Sequence, residues 1–112
     1  MVMLGALAAC GAPPFYPRRV VVETGGSDVP CPDPEPGLPI SLVVRNDAEV
    51  DLEHWAMDSA CREIRMSTQG PGEEVEYDAA VGEVYVVRAL EGGALFGAIL
   101  LDEPRDTVWV VR

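Results

Sequence analysis

SLVVRNDAEVDLEHWAMDSACREIRMSTQGPGEEVEYDAAVGEVYVV, residues 41–87, alternates apolar and polar side chains in short runs broken by Gly, Pro, Asn and Asp. Half-buried antiparallel strands joined by tight turns read this way. Ile40 to Asn46 is a strand that sends Ile40, Leu42 and Val44 toward a core, and Asn46 to Glu49 supplies a turn, since Asn and Asp tolerate left-handed backbone and bond their own main chain. Val50 to Met57 alternates at first, Val50 and Leu52 inward against Asp51 and Glu53 outward. At His54-Trp55 the phase slips. Burying both Leu52 and Trp55 needs one extra residue, so a bulge is expected near Glu53–His54, with His54 a surface or bulge residue. Asp58 to Cys61 turns the chain, and Arg62 to Met66 returns as a hairpin partner with Ile64 and Met66 on one face.

Ser67 to Gly72 is a second turn, dense in residues that fix or free the backbone. Glu73 to Tyr77 buries only Val75 and Tyr77 and suits a sheet edge, its outward carboxylates discouraging further pairing. Glu83 to Leu90 is the most apolar strand and belongs in the middle of a sheet. Ala94 to Leu101 and Asp106 to Arg112 add two more. About seven strands and no helix, evenly spaced, predict an all-β, antiparallel β-sandwich over residues 40–112.

Before Ile40 the character changes. Prolines at 13, 14, 17, 30, 32, 34, 36 and 39 block helix and leave few donors for a sheet, so residues 10–39 read as a stiff Pro-rich tether. Arg18 to Glu23 is its one strand-like piece, able to add an edge strand or to lie along the domain. An ordered loop packed on the domain is the other reading, and Cys31 favours it.

A chain of 112 residues makes one domain, and a core drawn from roughly 70–75 of them is small enough to need a staple. Net charge is −11, with Arg supplying every basic side chain and Lys absent, which excludes binding to a nucleic-acid backbone or an anionic lipid surface by charge. No stretch approaches the ~20 continuous apolar residues a bilayer-spanning helix requires.

Leu7-Ala8-Ala9-Cys10 resembles the lipobox of bacterial lipoproteins, with Leu three places before a cysteine and small residues between. The resemblance implies a signal-peptide remnant at residues 1–9, removed before Cys10, whose thiol then carries a diacylglycerol. An apolar N-terminal stretch with a free thiol is the alternative. With Cys10 lipidated, Cys31 and Cys61 form an even pair that an exported small domain is expected to join as a disulfide. Two unrelated thiols in a reducing compartment would be the other outcome. Zinc bound through three scattered cysteines and one histidine lacks any C-x-x-C spacing to support it.

Asn46, Trp55, Asp58, Pro71-Gly72, Gly82 and Tyr85 stand at a spacing similar to that of the von Hippel-Lindau tumour suppressor β-domain family, over roughly residues 40–90. The resemblance implies a sandwich of prealbumin-like topology. In that family the domain binds a hydroxyproline-containing peptide through an aromatic cage with Ser and His donors. The matching positions here are Met66, Asp78, Ala79, Glu83 and Tyr85. Only Tyr85 keeps an aromatic and the donors are replaced by Asp, Ala and Glu, so hydroxyproline recognition is not expected.

No catalytic residue is assigned. His54 is the sole histidine, and Ser41, Ser59 and Ser67 stand in no nucleophile-like turn. The pairs Asp51/Glu53 and Glu74/Glu76 each share a strand face, as a glycosidase pair would, but acidic composition scatters such pairs everywhere. Asp47, Glu49 and Asp102 lack a calcium-loop spacing, and neither a metal nor another cofactor is expected. The expectation is a non-catalytic binding or structural module of the cell envelope, lipid-anchored or periplasmic, meeting the membrane only through its anchor and offering an acidic face to an unidentified protein, peptide or glycan. A soluble acidic accessory or inhibitor domain acting on a partner protein is the alternative.

Overall fold

The computed structural model describes residues 17–22, 28–35 and 37–112. Within them the chain is all-β, with eight strands and no helix: β1 (Arg18–Val22), β2 (Pro39–Asn46), β3 (Leu52–Met57), β4 (Glu63–Gln69), β5 (Glu74–Ala80), β6 (Val84–Ala89), β7 (Leu95–Leu100) and β8 (Thr107–Val111). They form two four-stranded sheets, ordered β1-β8-β2-β5 and β4-β3-β6-β7, whose inner faces make a sandwich. The Val20-Val21-Val22 piece pairs as an edge strand, which brings the count to eight where about seven were expected.

The second sheet is antiparallel throughout, but the first is mixed. β8 runs parallel to β1 on one side and to β2 on the other, Trp109 lying opposite both Val20 and Val44. The wholly antiparallel arrangement expected from the turns does not hold, because β8 reaches its place by crossing from the second sheet to the first and not by a hairpin return.

Alternation supplies the core. Leu42, Val44, Trp109 and Val111 from the first sheet meet Leu52, Tyr85, Val87 and Ile99 from the second, all nearly without solvent contact. β6 lies between β3 and β7 and is buried at every position from Val84 to Val87, whereas β5 is an edge strand burying little beyond Val75, Tyr77 and Ala79. The turn between β4 and β5 passes from one sheet to the other. Its Pro71-Gly72 pair closes on a Glu73 N–H to Gly70 C=O bond of 3.2 Å, with Gly72 at φ +81°, the geometry of a type II turn that only glycine adopts without strain.

One expectation at β3 fails instructively. The register does shift between His54 and Trp55, but the extra residue is Met66 on the partner strand: His54 lies opposite Ser67 and Trp55 opposite Arg65. β3 therefore keeps its two-residue period unbroken. His54 points inward at 2% exposure and is not a surface residue, while Trp55 stays on the outer face, half-buried. There Arg88 grips Glu63 with two hydrogen bonds, Nε to Oε1 at 2.9 Å and Nη2 to Oε2 at 2.7 Å. Glu63 stands opposite Met57 and Arg88 opposite Glu53, so the pair bridges diagonally over the Trp55–Val86 row.

Candidate functional site

The interior holds one polar chain, and its geometry fixes where each proton sits. Gln69 on β4 donates its amide hydrogens to two main-chain carbonyls, Val44 at 2.8 Å and Glu73 at 2.6 Å. Its Oε1 is thereby turned to His54 Nε2 at 2.7 Å, and an amide oxygen only accepts, so Nε2 carries the hydrogen. His54 Nδ1 is then bare in the neutral ring and accepts from the Tyr77 hydroxyl at 2.6 Å. Tyr77 has no second hydrogen, so Ser67 donates to it. The order Ser67, Tyr77, His54, Gln69 joins β3 and β4 of one sheet to β5 of the other. It satisfies every member, which is what makes a buried histidine tolerable. Burial holds His54 below the ordinary imidazole range, the Gln69 bond opposing only part of that shift. Burial also pushes the Tyr77 hydroxyl up, with the Ser67 bond working the other way.

Asn46 extends the polar order at the same end. Its Oδ1 accepts from Ala48 N–H at 2.8 Å, closing the turn expected there, while Nδ2 donates to Val50 C=O at 2.9 Å. The backbone of Asn46 also clasps the crossover turn, donating to Glu73 C=O and accepting from Gly72 N–H.

Of the five positions matched to the family pocket, the structure joins two directly: Tyr85 donates its hydroxyl to Glu83 Oε1 at 2.8 Å. Burial, reinforced by that carboxylate, drives the Tyr85 hydroxyl far above the ordinary phenol range. Its ring stacks on Tyr77 with centroids 6.0 Å apart. Ala79 is buried opposite Ile40 on the inner face, Asp78 is exposed on the outer face opposite Ser41, and Met66 is the exposed bulge residue on β4. Asp78 and Met66 thus stand apart from the Glu83–Tyr85 pair by face and by strand.

Cys31 and Cys61 are bonded, their Cα atoms 5.2 Å apart. Cys61 is the one described non-glycine residue at positive φ, +64°, in a turn organised by Asp58. Asp58 Oδ1 accepts from the Ala60 and Arg62 amides, and the Arg62 amide bond is the leading reason its carboxyl titrates low. The segment carrying Cys31 is tied further by Asp33 N–H to Gly82 C=O at 2.9 Å and Gly37 N–H to Val81 C=O at 2.8 Å. A Cβ on Gly82, itself at φ +97°, would lie 3.1 Å from the Asp33 side chain, so glycine there serves both the turn and the approach of the strap. Cys10 and residues 1–9 lie outside the described residues.

Among the described residues two gatherings of carboxylates bear on a partner or ligand. Glu74, Glu76 and Asp78 form an exposed row along edge strand β5, Glu76 accepting from the Ser41 hydroxyl at 2.7 Å. At the opposite end from the disulfide, Glu49, Asp51 and Glu91 surround a cleft of about 380 Å³ floored by Val50, Pro71 and Ala89. Among the described residues no group of three or more His, Cys, Asp or Glu side chains is arranged to hold a metal ion.

The sequence missed His54, Gln69 and Ser67 as one unit. The available signal was the two-residue step from Leu52 to His54, which places the imidazole on the core face; Val50, expected inward with them, lies before β3 and is 45% exposed. No protein-family model and no curated protein matches this chain.

Proposed function

We propose that this chain is a non-catalytic binding or structural module of the bacterial cell envelope, anchored through an acylated Cys10. Its sandwich would be of the von Hippel-Lindau β-domain, prealbumin-like kind. The observation that carries the reading is the Cys31–Cys61 bond, since disulfides form and persist outside the reducing cytosol. The non-catalytic part is supported by the sole histidine, both of whose ring nitrogens are spent on Tyr77 and Gln69 at 2% exposure, out of reach of a substrate. The Glu74, Glu76 and Asp78 row would face the partner, a cationic protein, peptide or glycan component of the envelope.

The bond joining the Pro-rich segment to the domain shortens the tether that composition suggests. Among the described residues strand pairing begins at Arg18, and residues 11–17, which separate it from Cys10, could span at most about 25 Å even if fully extended. A lipid-anchored form would thus sit against the membrane with β1 nearest to it.

The test is mass spectrometry of the protein recovered from the membrane fraction of an export-competent bacterial host. A peptide cross-linked through Cys31 and Cys61, together with an N-terminal Cys10 bearing acyl chains, is the expected result. Free thiols at 31 and 61 with an unmodified Cys10 would overturn it and leave the soluble accessory domain as the better reading. The pairing of β1 into the first sheet, which needs no anchor, suits that alternative equally.

A further inference from the structure

The polar chain between the sheets is pinned at one side by an edge strand. β4 pairs only with β3, its ladder is interrupted at Met66, and Ile64 and Met66 are 51% and 38% exposed. Beyond the bulge, its Ser67–Gln69 half is held by a short ladder to Leu52–His54, and it and the Gly70–Glu73 turn are held besides by the side chains of His54 and Tyr77, by the Val44 carbonyl and by the Asn46 main chain. The other end of β4 cannot leave, since Cys61 is covalently tied to Cys31.

A second proton on His54 leaves the bond to Gln69 as it is and reverses the Tyr77–Ser67 side of the chain. Both ring nitrogens then donate, so Tyr77 must accept from Nδ1–H and turn its own hydrogen to Ser67 Oγ, whose hydrogen turns out to water. Hydrogen bonds are conserved in this rearrangement, but a full positive charge is left between the sheets. The other titratable side chains that face this interior from the strands packed there are Tyr77 on β5 and, stacked behind it, Tyr85 on β6. Of the carboxylates of neighbouring segments, Glu53 is engaged with Arg65, Glu73 with the Gly70 amide, and Glu83 with Tyr85 and the Ala80 amide, while Asp51 lies outside, beside Thr68, Gln69 and Gly70 at the rim of the Gly70–Glu73 turn. β2 and β8 contribute Leu42, Val44 and Trp109 to the same interior. A buried cation with no anion beside it is stabilised only by reaching water.

We propose that His54 is the sensor of an acid-opened flap, in which the Ser67–Gln69 half of β4 and the Gly70–Glu73 turn lift from the sandwich when the imidazole becomes doubly protonated. The hinge is the bulge at Met66, and the disulfide-tied Asp58–Arg62 turn stays closed. Opening uncovers the stacked Tyr77 and Tyr85 rings, so the device would present an aromatic surface on acidification and withdraw it at neutral pH. This inference is independent of where the protein resides.

The test uses the full disulfide-bonded chain with its single histidine labelled with ¹⁵N. At pH 7.5 the nitrogen spectrum should show the hydrogen on Nε2 and a bare Nδ1, and the ring should titrate with a midpoint below 6.5. Hydrogen exchange read on peptides covering residues 67–73, corrected for the intrinsic pH dependence, should lose protection by up to about tenfold per pH unit from pH ~6.5 down to that midpoint and level off below it. Peptides in β2 and β8 should keep theirs, and in His54→Gln the slope between pH 7 and 5 should vanish. An Nδ1–H tautomer, a midpoint at or above 6.5, or the same slope in His54→Gln would overturn the proposal. Should His54→Gln fail to fold, the tautomer and midpoint of the unaltered chain still decide.

Discussion

Replacing both Cys31 and Cys61 by serine should destabilise the domain by about 3.6 kcal/mol. The figure is the conformational entropy returned to the unfolded chain when a loop closed across a separation of 30 residues is released. On the folded side little changes at once, because the Asp33–Gly82 and Gly37–Val81 main-chain bonds remain and the Asp58 turn keeps its own hydrogen bonds. The loss therefore lies in the unfolded state, and this makes it testable in two ways. Urea unfolding followed by tryptophan fluorescence should show a lower midpoint together with a steeper dependence on urea, since a chain freed of its cross-link exposes more surface. For a domain of this size the melting temperature should fall by roughly 15–30 °C. A loss under about 1 kcal/mol with an unchanged urea dependence would refute the reasoning. It would mean that packing, and not the cross-link, holds residues 28–35 in place.

Three other outcomes follow from particular contacts. In Gly97→Ala the new Cβ would lie 2.5 Å from Val22 Cγ1, so it should lose about 1–3 kcal/mol or expel β1; pairing it with Val22→Ala should recover most of that in a double-mutant cycle, and simple additivity would argue against the clash. Asn46→Ala strips partners from the part-buried Val50 carbonyl and Ala48 amide and should cost about 1–3 kcal/mol by urea denaturation, whereas a change under about 0.5 kcal/mol would show that water replaces the side chain. Stability should be greatest above about pH 7 and decline as pH falls below 6.5, because the unfolded chain takes up a proton on His54 that the folded one resists, with a slope of at most ~1.4 kcal/mol per pH unit. Below the ordinary Glu range a second decline should join it, as Glu63, held low chiefly by the Arg88 bond, gives up its charge. Urea midpoints flat from pH 7 to 5 would contradict the first part.

Most of the sandwich was legible because alternation and turn chemistry are local. Ile40, Leu42 and Val44 turn inward, β6 lies inside its sheet, β5 stands at an edge, and Gly72 takes positive φ, as residue type and spacing imply. Failures came where a long-range partner decides. A bulge could be inferred from Leu52 and Trp55, but nothing in β3 says that Met66 on the facing strand absorbs the extra residue, and on that choice hangs whether His54 or Trp55 enters the core. The parallel placement of β8 is invisible for the same reason, since the Val-rich sequence Thr107–Val111 would suit a hairpin equally well. The polar chain escaped notice because Ser67, Gln69 and Tyr77 are unremarkable singly and acquire their roles only when three strands converge.

That last strand also orders events in time. β8 fills the slot between β1 and β2, so the first sheet lacks one of its two inner members until Thr107–Val111 has left the ribosome. Residues 18–22 have no partner to zip onto before then, and pairing them closes a loop nearly as long as the domain, the kind of contact that forms slowly. The nascent chain can make the β3–β4 hairpin early, but its core stays incomplete until Thr107–Val111 is available to pair.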